Sequence, residues 1–185
     1  MGLYIAGVNR RMCQLAGELC QGFHVHPLHT SRYLREVVTP SIQRGLTQGD
    51  RDRKAIELSS SIFVIPTVDP KQVERHESEI RQQIAFYAST PQYRPVFEIE
   101  GWGETAQQLG RLAASGRWND MPLLISDAML DDFALRGTWA ELPARVLEKY
   151  HGLLDRVSYY FPVVPGENED GWRTTVAGFK AQAVR

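Results

Sequence analysis

Residues 61–68 read Ser-Ile-Phe-Val-Ile-Pro-Thr-Val, an almost unbroken apolar run rich in strand-forming residues. A strand with one wet face alternates polar and apolar residues. This run does not, so it predicts a strand buried on both faces, as in a parallel sheet. Asp69 and Pro70 follow at once, a pair typical of a helix N-cap with proline in the first turn. The predicted helix extends to about Tyr87.

The alternation of strand and helix continues on both sides of this unit. Strands are predicted over residues 3–8, 23–27 and 155–161, and a helical pattern follows each of them. Further helices are predicted from residue 30 or 31 to about 45, over 104–115 and 127–133, and after the capping box of Thr138 and Glu141. Residues 91–102 are expected to be irregular. This order predicts an α/β fold of parallel β/α units with right-handed crossovers and roughly four strands.

The composition argues against several classes of protein. The 185 residues carry a formal net charge of −1, which gives no basic surface for nucleic acid. No apolar run approaches the ~20 residues of a membrane span, and the N-terminus lacks the charged region and cleavage site of a signal peptide. Cys13 and Cys20 lie about 10 Å apart along one predicted helix, too far for a disulfide. They are predicted to be reduced, buried thiols of a cytoplasmic protein.

Three of the five histidines lie in the stretch Gly-Phe-His-Val-His-Pro-Leu-His-Thr of residues 22–30. On a strand, His24 and His26 share one face, and His29 follows in a loop. Two such histidines could chelate a divalent metal, but no further ligand stands at a suitable spacing. The alternatives are ordinary polar groups at a strand end, or side chains lining an organic-ligand pocket, where a histidine could act as general acid or base.

The first predicted strand ends in a loop, Gly7-Val8-Asn9-Arg10-Arg11, which leads directly into a helix. Backbone N–H groups at a helix N-terminus form an anion site, and arginine adds charged, bidentate donors. The loop has no full glycine fingerprint, so an ordinary turn with solvated arginines is the alternative interpretation.

Several stretches taken together resemble the bacterial luciferase-like oxidoreductases, in the branch that uses the deazaflavin coenzyme F420. They are residues 4–13 (YIAGVNRRMC), 15–18 (LAGE), 22–27 (GFHVHP), 81–87 (RQQIAFY), 90–93 (TPQY), 126–130 (SDAML), 137–138 (GT) and 155–158 (DRVS). The family fold is a (β/α)₈ TIM barrel. The resemblance extends only to its C-terminal half, so residues 1–185 are expected to form a single half-barrel domain with a helical insertion at about 91–135. Arg10 stands where relatives usually have proline.

The resemblance implies an oxidoreductase that transfers hydride between F420, or FMN as the alternative, and a small organic substrate. It implies that the loop of Gly7, Val8, Asn9, Arg10 and Arg11 binds the cofactor's phosphate end. His24 and His26, at the end of a strand, are the candidate catalytic residues. A half-barrel exposes strand edges, so a homo-oligomer or a separate N-terminal half is expected as partner. A non-catalytic subunit and a metal-dependent hydrolase using His24 and His26 are the alternative hypotheses.

Overall fold

The computed structural model describes residues 1–183 and contains one parallel sheet of five strands. The strands are β1 (Tyr4–Gly7), β2 (Gly22–Val25), β3 (Glu57–Pro66), β4 (Ala134–Gly137) and β5 (Arg156–Tyr159). Every pairing is parallel. The predicted class, α/β with parallel β/α units, is therefore confirmed.

The long strand β3 organises the sheet. It pairs with β2 through residues 57–60, with β5 through residues 59–62 and with β4 through residues 63–66, and β1 continues the sheet beyond β2. Residues 63–66 belong to the apolar run that predicted a doubly buried strand, and all four are buried. Within the described chain, β1, β4 and β5 each pair with a single strand, so the sheet is open.

Nine α-helices occupy the connections within residues 1–183. They are α1 (Arg10–Leu19), α2 (Ser31–Tyr33), α3 (Thr39–Gln48), α4 (Pro70–Ala88), α5 (Arg94–Ile99), α6 (Gly103–Ala114), α7 (Asp127–Phe133), α8 (Leu142–Tyr150) and α9 (Glu169–Ala183). A π-helical turn at Leu34–Val38 joins α2 to α3. The predicted cap at Asp69 is present at the start of α4. Its Oδ1 accepts the N–H of Lys71 at 3.0 Å, one of the N–H groups that the helix leaves free.

Helices α1 and α3 pack with their backbones in contact. A Cβ atom on Gly17 would lie 2.3 Å from the carbonyl oxygen of Ile42, and one on Gly45 would lie 1.9 Å from that of Gln14. Only glycine fits at either position without moving one helix. This contact sets the spacing of the two helices that flank β2 in sequence.

The two faces of the sheet differ in burial. One face carries Phe23, Val25, Leu58 and Ile62, each no more than 1% exposed, and α1 contacts it at β1 and β2. On β2 and the first half of β3 the opposite face carries polar, partly exposed side chains, whereas Phe63 and Ile65 further along β3 are buried. A closed barrel would enclose that second face, whereas here it is open to solvent.

Three local predictions were wrong in detail. The four-residue strand β4 was not predicted, because its pairing with β3 is non-local. Residues 91–102 are largely helical rather than irregular, with a 3₁₀ turn at Pro91–Tyr93 and helix α5. The helix predicted from residue 30 or 31 to 45 is interrupted by the π-helical turn. Such turns often accompany functional sites.

Cys13 and Cys20 are free and buried, as predicted. Burial raises the pKa of the Cys13 thiol to about 12, so the thiol stays protonated and unreactive. In the part of the chain that the structure describes, no helix is both long enough and apolar enough to cross a membrane.

Candidate functional site

The polar face of the sheet, called the open face below, combines side chains from four strands. The register places Ala6, His24, Ser59 and Arg156 in one row across β1, β2, β3 and β5. Two ladder positions further along β3, Ser61 Oγ and Ser158 Oγ lie 2.9 Å apart. The polar side chains of this row therefore lie on β2, β3 and β5.

His24 lies in the middle of the open face. Its Nδ1 is 3.1 Å from Ser59 Oγ on the neighbouring strand, and the side chain is only partly buried. The hydroxyl orients the ring and leaves the other ring nitrogen available to a ligand. His24 thus has a position from which it could contact a bound cofactor or substrate.

His26 is held at the carboxyl end of β2 by what we call the aromatic cap, formed with Tyr87, Tyr93 and Tyr160. The imidazole stacks on Tyr93 with ring centres 4.3 Å apart and meets the edge of Tyr87 at 4.5 Å. The hydroxyls of Tyr87 and Tyr160 are 2.8 Å apart, which ties α4 to the end of β5. The cap therefore joins helix α4 and the 3₁₀ turn at Pro91–Tyr93 to the ends of the strands.

The proton equilibrium of His26 limits its chemistry. Burial, with a smaller effect of the charge on His24, lowers the pKa of His26 to about 4. The ring is therefore neutral near pH 7, and its Nδ1 accepts the N–H of Leu28 at 3.1 Å, so Nε2 carries the proton. A neutral ring can donate one hydrogen bond, but it does not supply the imidazolium proton of a general acid.

The third histidine, His29, is only 1% exposed and stacks on Tyr150. Its Nδ1 bonds to the carbonyl oxygen of Pro27 at 3.1 Å, while Nε2 has no hydrogen-bond partner within the described residues. Burial lowers the pKa of His29 to about 4. The structure separates His29 from the open face and places it in the core.

The residue after His29 anchors the end of helix α5. Thr30 Oγ1 donates to Glu100 Oε1 at 2.5 Å and accepts the N–H of Tyr33 at 3.0 Å, so one hydroxyl caps α2 and holds the loop after α5. The Tyr33 hydroxyl in turn donates to the carbonyl oxygen of Val8 at 2.9 Å. This chain of bonds connects the histidine segment to the loop that follows β1.

The loop after β1 contains the predicted anion site. Gly7 accepts the N–H of His26 at 3.0 Å, and a Cβ on Gly7 would lie 2.8 Å from Met12 Cβ. Asn9 caps α1 by accepting the N–H of Met12 at 3.2 Å. The N–H groups of Arg10 and Arg11 have no acceptor within residues 1–183, so they are available to an anion.

The arginine side chains lie beside an open cleft of about 630 Å³. It is lined by Asn9, Arg10, Arg11, Tyr33, Val37, Pro95, Glu98 and Ile99. Both arginines are exposed, and neither forms an ion pair within the described part of the chain. With two guanidinium groups against the single carboxylate of Glu98, the cleft favours an anionic group.

Sequence reasoning did not single out Tyr87, Glu100 or Ser59 as site residues. A signal for Ser59 was present, because Glu57, Ser59 and Ser61 alternate with buried residues at the start of β3. That alternation is typical of a strand with one polar face. Tyr87 and Glu100 had no local signal, since they reach the site only through the packing of α4 and of the segment after α5.

The structure gives no support to metal binding by His24 and His26. Among residues 1–183, no group of three or more His, Cys, Asp and Glu side chains is arranged to hold a metal ion. The Nδ1 atoms of the two rings already face Ser59 and the N–H of Leu28.

Comparison with known proteins assigns the chain to a family. The luciferase-like monooxygenase family matches residues 3–156. An uncharacterized protein of Mycobacterium tuberculosis is 39% identical over 155 residues, covering 84% of this chain and 46% of the relative. A 5,10-methylenetetrahydromethanopterin reductase of Archaeoglobus fulgidus is 25% identical over 173 residues, covering 90% of this chain and 50% of the relative.

Solved structures share the fold. The coenzyme F420 dependent tetrahydromethanopterin reductase from Methanopyrus kandleri matches with a TM-score of 0.68 and 19% identity, over 96% of this chain and 49% of that one. An F420-dependent secondary alcohol dehydrogenase in complex with an F420-acetone adduct matches with a TM-score of 0.58 and 13% identity, over 85% and 42%. The chain thus spans about half the length of these proteins. Since the family match extends over more than half of its residues, this chain belongs to the luciferase-like monooxygenase family.

Proposed function

We propose that this chain forms one half of the active site of an oxidoreductase that transfers hydride between coenzyme F420 and a small organic substrate, with FMN as the alternative cofactor. The observation that carries the proposal is the anion site at the start of α1, where two free N–H groups and two unpaired arginines face a cleft. Both cofactors carry a phosphate, so this set of donors fits either of them. F420-dependent relatives favour the deazaflavin.

Each part of the site has a physical task in this proposal. Arg10 and Arg11 bind the phosphate, and the Asn9 cap holds the N–H groups of α1 in position. His24, oriented by Ser59, presents one ring nitrogen on the open face for a hydrogen bond to cofactor or substrate. The neutral ring of His26 stays stacked in the aromatic cap and shields the carboxyl end of β2 from water. The bound deazaflavin would supply the hydride chemistry.

The half-site needs a second half to exclude water from the reacting atoms. We therefore propose that further β/α units close over the open face, supplied by a second copy of this chain or by a separate chain. Exposed apolar side chains flank both open edges: Leu15 and Leu19 on α1 are 42% and 58% exposed, and Val176 on α9 is 51% exposed. Free strand edges and adjacent apolar surface are the features that pairing would cover.

The open strand edges and the exposed apolar side chains beside them also favour a second candidate function. The chain could be a partner-dependent subunit that completes another protein's barrel without binding cofactor itself. The two candidates differ in whether Arg10 and Arg11 contribute to cofactor affinity.

The test is a titration of the purified chain with F420 and with FMN, followed by fluorescence, with the molecular mass recorded by light scattering. We expect micromolar binding of F420 by a species of twice the 21.0 kDa chain mass, or by the chain mixed with a complementary half-barrel. Replacing Arg10 and Arg11 by alanine should weaken binding by about tenfold or more, since charged hydrogen bonds contribute about 1.5–3 kcal/mol.

The control is Arg44→Ala, which removes an exposed arginine of α3 that does not line the cleft. Cofactor binding that survives the Arg10 and Arg11 replacements unchanged would contradict the assigned phosphate site. An assembled barrel that binds neither cofactor would favour the non-catalytic subunit.

A further inference from the structure

A separate cavity of about 260 Å³ lies on the other side of the sheet from His24. It is bounded by the ends of β3 and β5, the first turns of α4 and the start of α9, and is lined by Val64, Pro66, Arg75, His76, Glu79, Trp139, Tyr159, Phe161, Pro162, Val164, Glu167, Asn168 and Trp172. Val64 and Pro66 point away from Ser59 and Ser61, because neighbouring residues of a strand face opposite sides. The cavity therefore does not belong to the open face.

Five of the thirteen residues that line the cavity carry aromatic rings. Trp172 lies 5.1 Å from Trp139 and 5.6 Å from Tyr159, measured between ring centres, and Phe161 lies 5.6 Å from the ring of His76. Trp139 approaches α9 closely, since a Cβ on Gly171 would lie 2.4 Å from its Nε1. The rings thus pack against one another and are held in place.

Two buried polar atoms at this cavity have no hydrogen-bond partner within the described residues. They are Nδ1 of His76 and the hydroxyl oxygen of Tyr159. Glu79 Oε2 is 3.8 Å from His76 Nδ1, which is too long for a hydrogen bond. Burial lowers the pKa of His76 and raises that of Tyr159 to about 12, so both groups are neutral near pH 7. Neither side chain therefore adds a charge to the cavity.

The charges at the mouth of the cavity are unequal. Arg75 lies 3.9 Å from Glu79 and 4.0 Å from Glu167, so two carboxylates face one guanidinium. Both contacts are long and largely exposed, and neither fully satisfies the carboxylate oxygens. With His76 neutral, the mouth carries an excess of one negative charge.

From this combination we infer that the cavity binds a small organic ammonium ion with an apolar body. The ammonium group would lie beside the aromatic rings that line the cavity, and Glu79 and Glu167 would attract it to the mouth. Aromatic side chains stabilise organic cations through the negative charge of their ring faces. An anionic ligand would meet repulsion at the mouth, and a neutral one would gain nothing from the two carboxylates.

The test is isothermal titration of the full chain with benzylamine, which is protonated near pH 7, and with benzyl alcohol, its neutral counterpart. We expect saturable binding of one benzylamine per chain, about tenfold tighter than benzyl alcohol. Glu167→Gln removes one charge from an exposed position and should weaken benzylamine binding roughly threefold, while leaving benzyl alcohol unaffected.

Glu148→Gln is the matched control, since Glu148 is an exposed carboxylate of α8 that does not line the cavity. Each variant is first shown to unfold at the temperature of the unmodified chain. Equal affinity for amine and alcohol, or benzylamine binding that Glu167→Gln leaves unchanged, would overturn the inference. So would the absence of saturable binding by the folded chain.

Discussion

Replacing His29 with phenylalanine should remove much of the protein's sensitivity to mild acid. His29 is 1% exposed, and burial lowers its pKa from 6.5 to about 4, with a smaller effect of the nearby charge of Lys149. In the unfolded chain the imidazole regains its ordinary pKa. The unfolded state therefore binds more protons than the folded state between pH 6.5 and 4. Stability is fully present above pH 6.5 and is lost as the pH falls through this window.

The magnitude follows from the two pKa values. Lowering the pH from about 7 to about 5 crosses roughly 1.5 units of the gap, and each unit corresponds to about 1.36 kcal/mol. His29 should therefore reduce the free energy of unfolding by about 2 kcal/mol over this range. His26 acts with the same sign, because its pKa is also lowered to about 4. It remains in the His29→Phe variant, so some pH dependence persists.

The assay is urea unfolding followed by tryptophan fluorescence at both pH values. His29→Phe should be less stable near pH 7 by about 1 kcal/mol, since the bond to Pro27 is lost. Its loss of stability on acidification should be about 2 kcal/mol smaller than that of the unmodified chain. His151→Gln, at an exposed position, serves as control. If His29→Phe and the unmodified chain lose the same stability between the two pH values, the linkage argument is refuted.

Two further predictions concern the scaffold of the site. Gly45→Ala places a methyl group 1.9 Å from the carbonyl oxygen of Gln14 and should cost about 2 kcal/mol or more, seen as a lower midpoint of thermal unfolding. Gly110→Ala is the control: the nearest atom is 3.5 Å away, so this change should be neutral or stabilise the protein by about 0.5–1 kcal/mol. An equal loss of stability in the two variants would argue against the close packing of α1 and α3. Asn9→Ala removes the acceptor for the N–H of Met12 and should cost about 1 kcal/mol in urea unfolding while also weakening cofactor binding. If Asn9→Ala bound the cofactor with unchanged affinity, the Asn9 cap would not contribute to the proposed phosphate site.

Local features of the sequence were sufficient for much of the fold. The apolar run at residues 61–68 predicted the central strand because burial on both faces requires side chains that are apolar throughout. Asn9 and Asp69 lie at helix starts because their side chains accept N–H groups that a helix leaves free. These effects act over a few residues and can be read without knowing what packs against them.

Tertiary structure decided the features that depend on distant partners. Strand β4 forms because residues 134–137 pair with the last four residues of β3, which are far away in the sequence. The end of helix α5 is likewise held by a distant residue, since Glu100 accepts a hydrogen bond from Thr30. The environment of the histidines was likewise not local: His24 faces Ser59 on the open face, whereas packing against Tyr87 and Tyr93 keeps His26 neutral. A histidine's pKa depends on its burial and neighbouring charges, and these are set by segments far away in the chain. The sequence by itself determined four of the five strands, the caps and the loop that contains the arginines. The three-dimensional packing decided which of these groups share a face and which can carry charge.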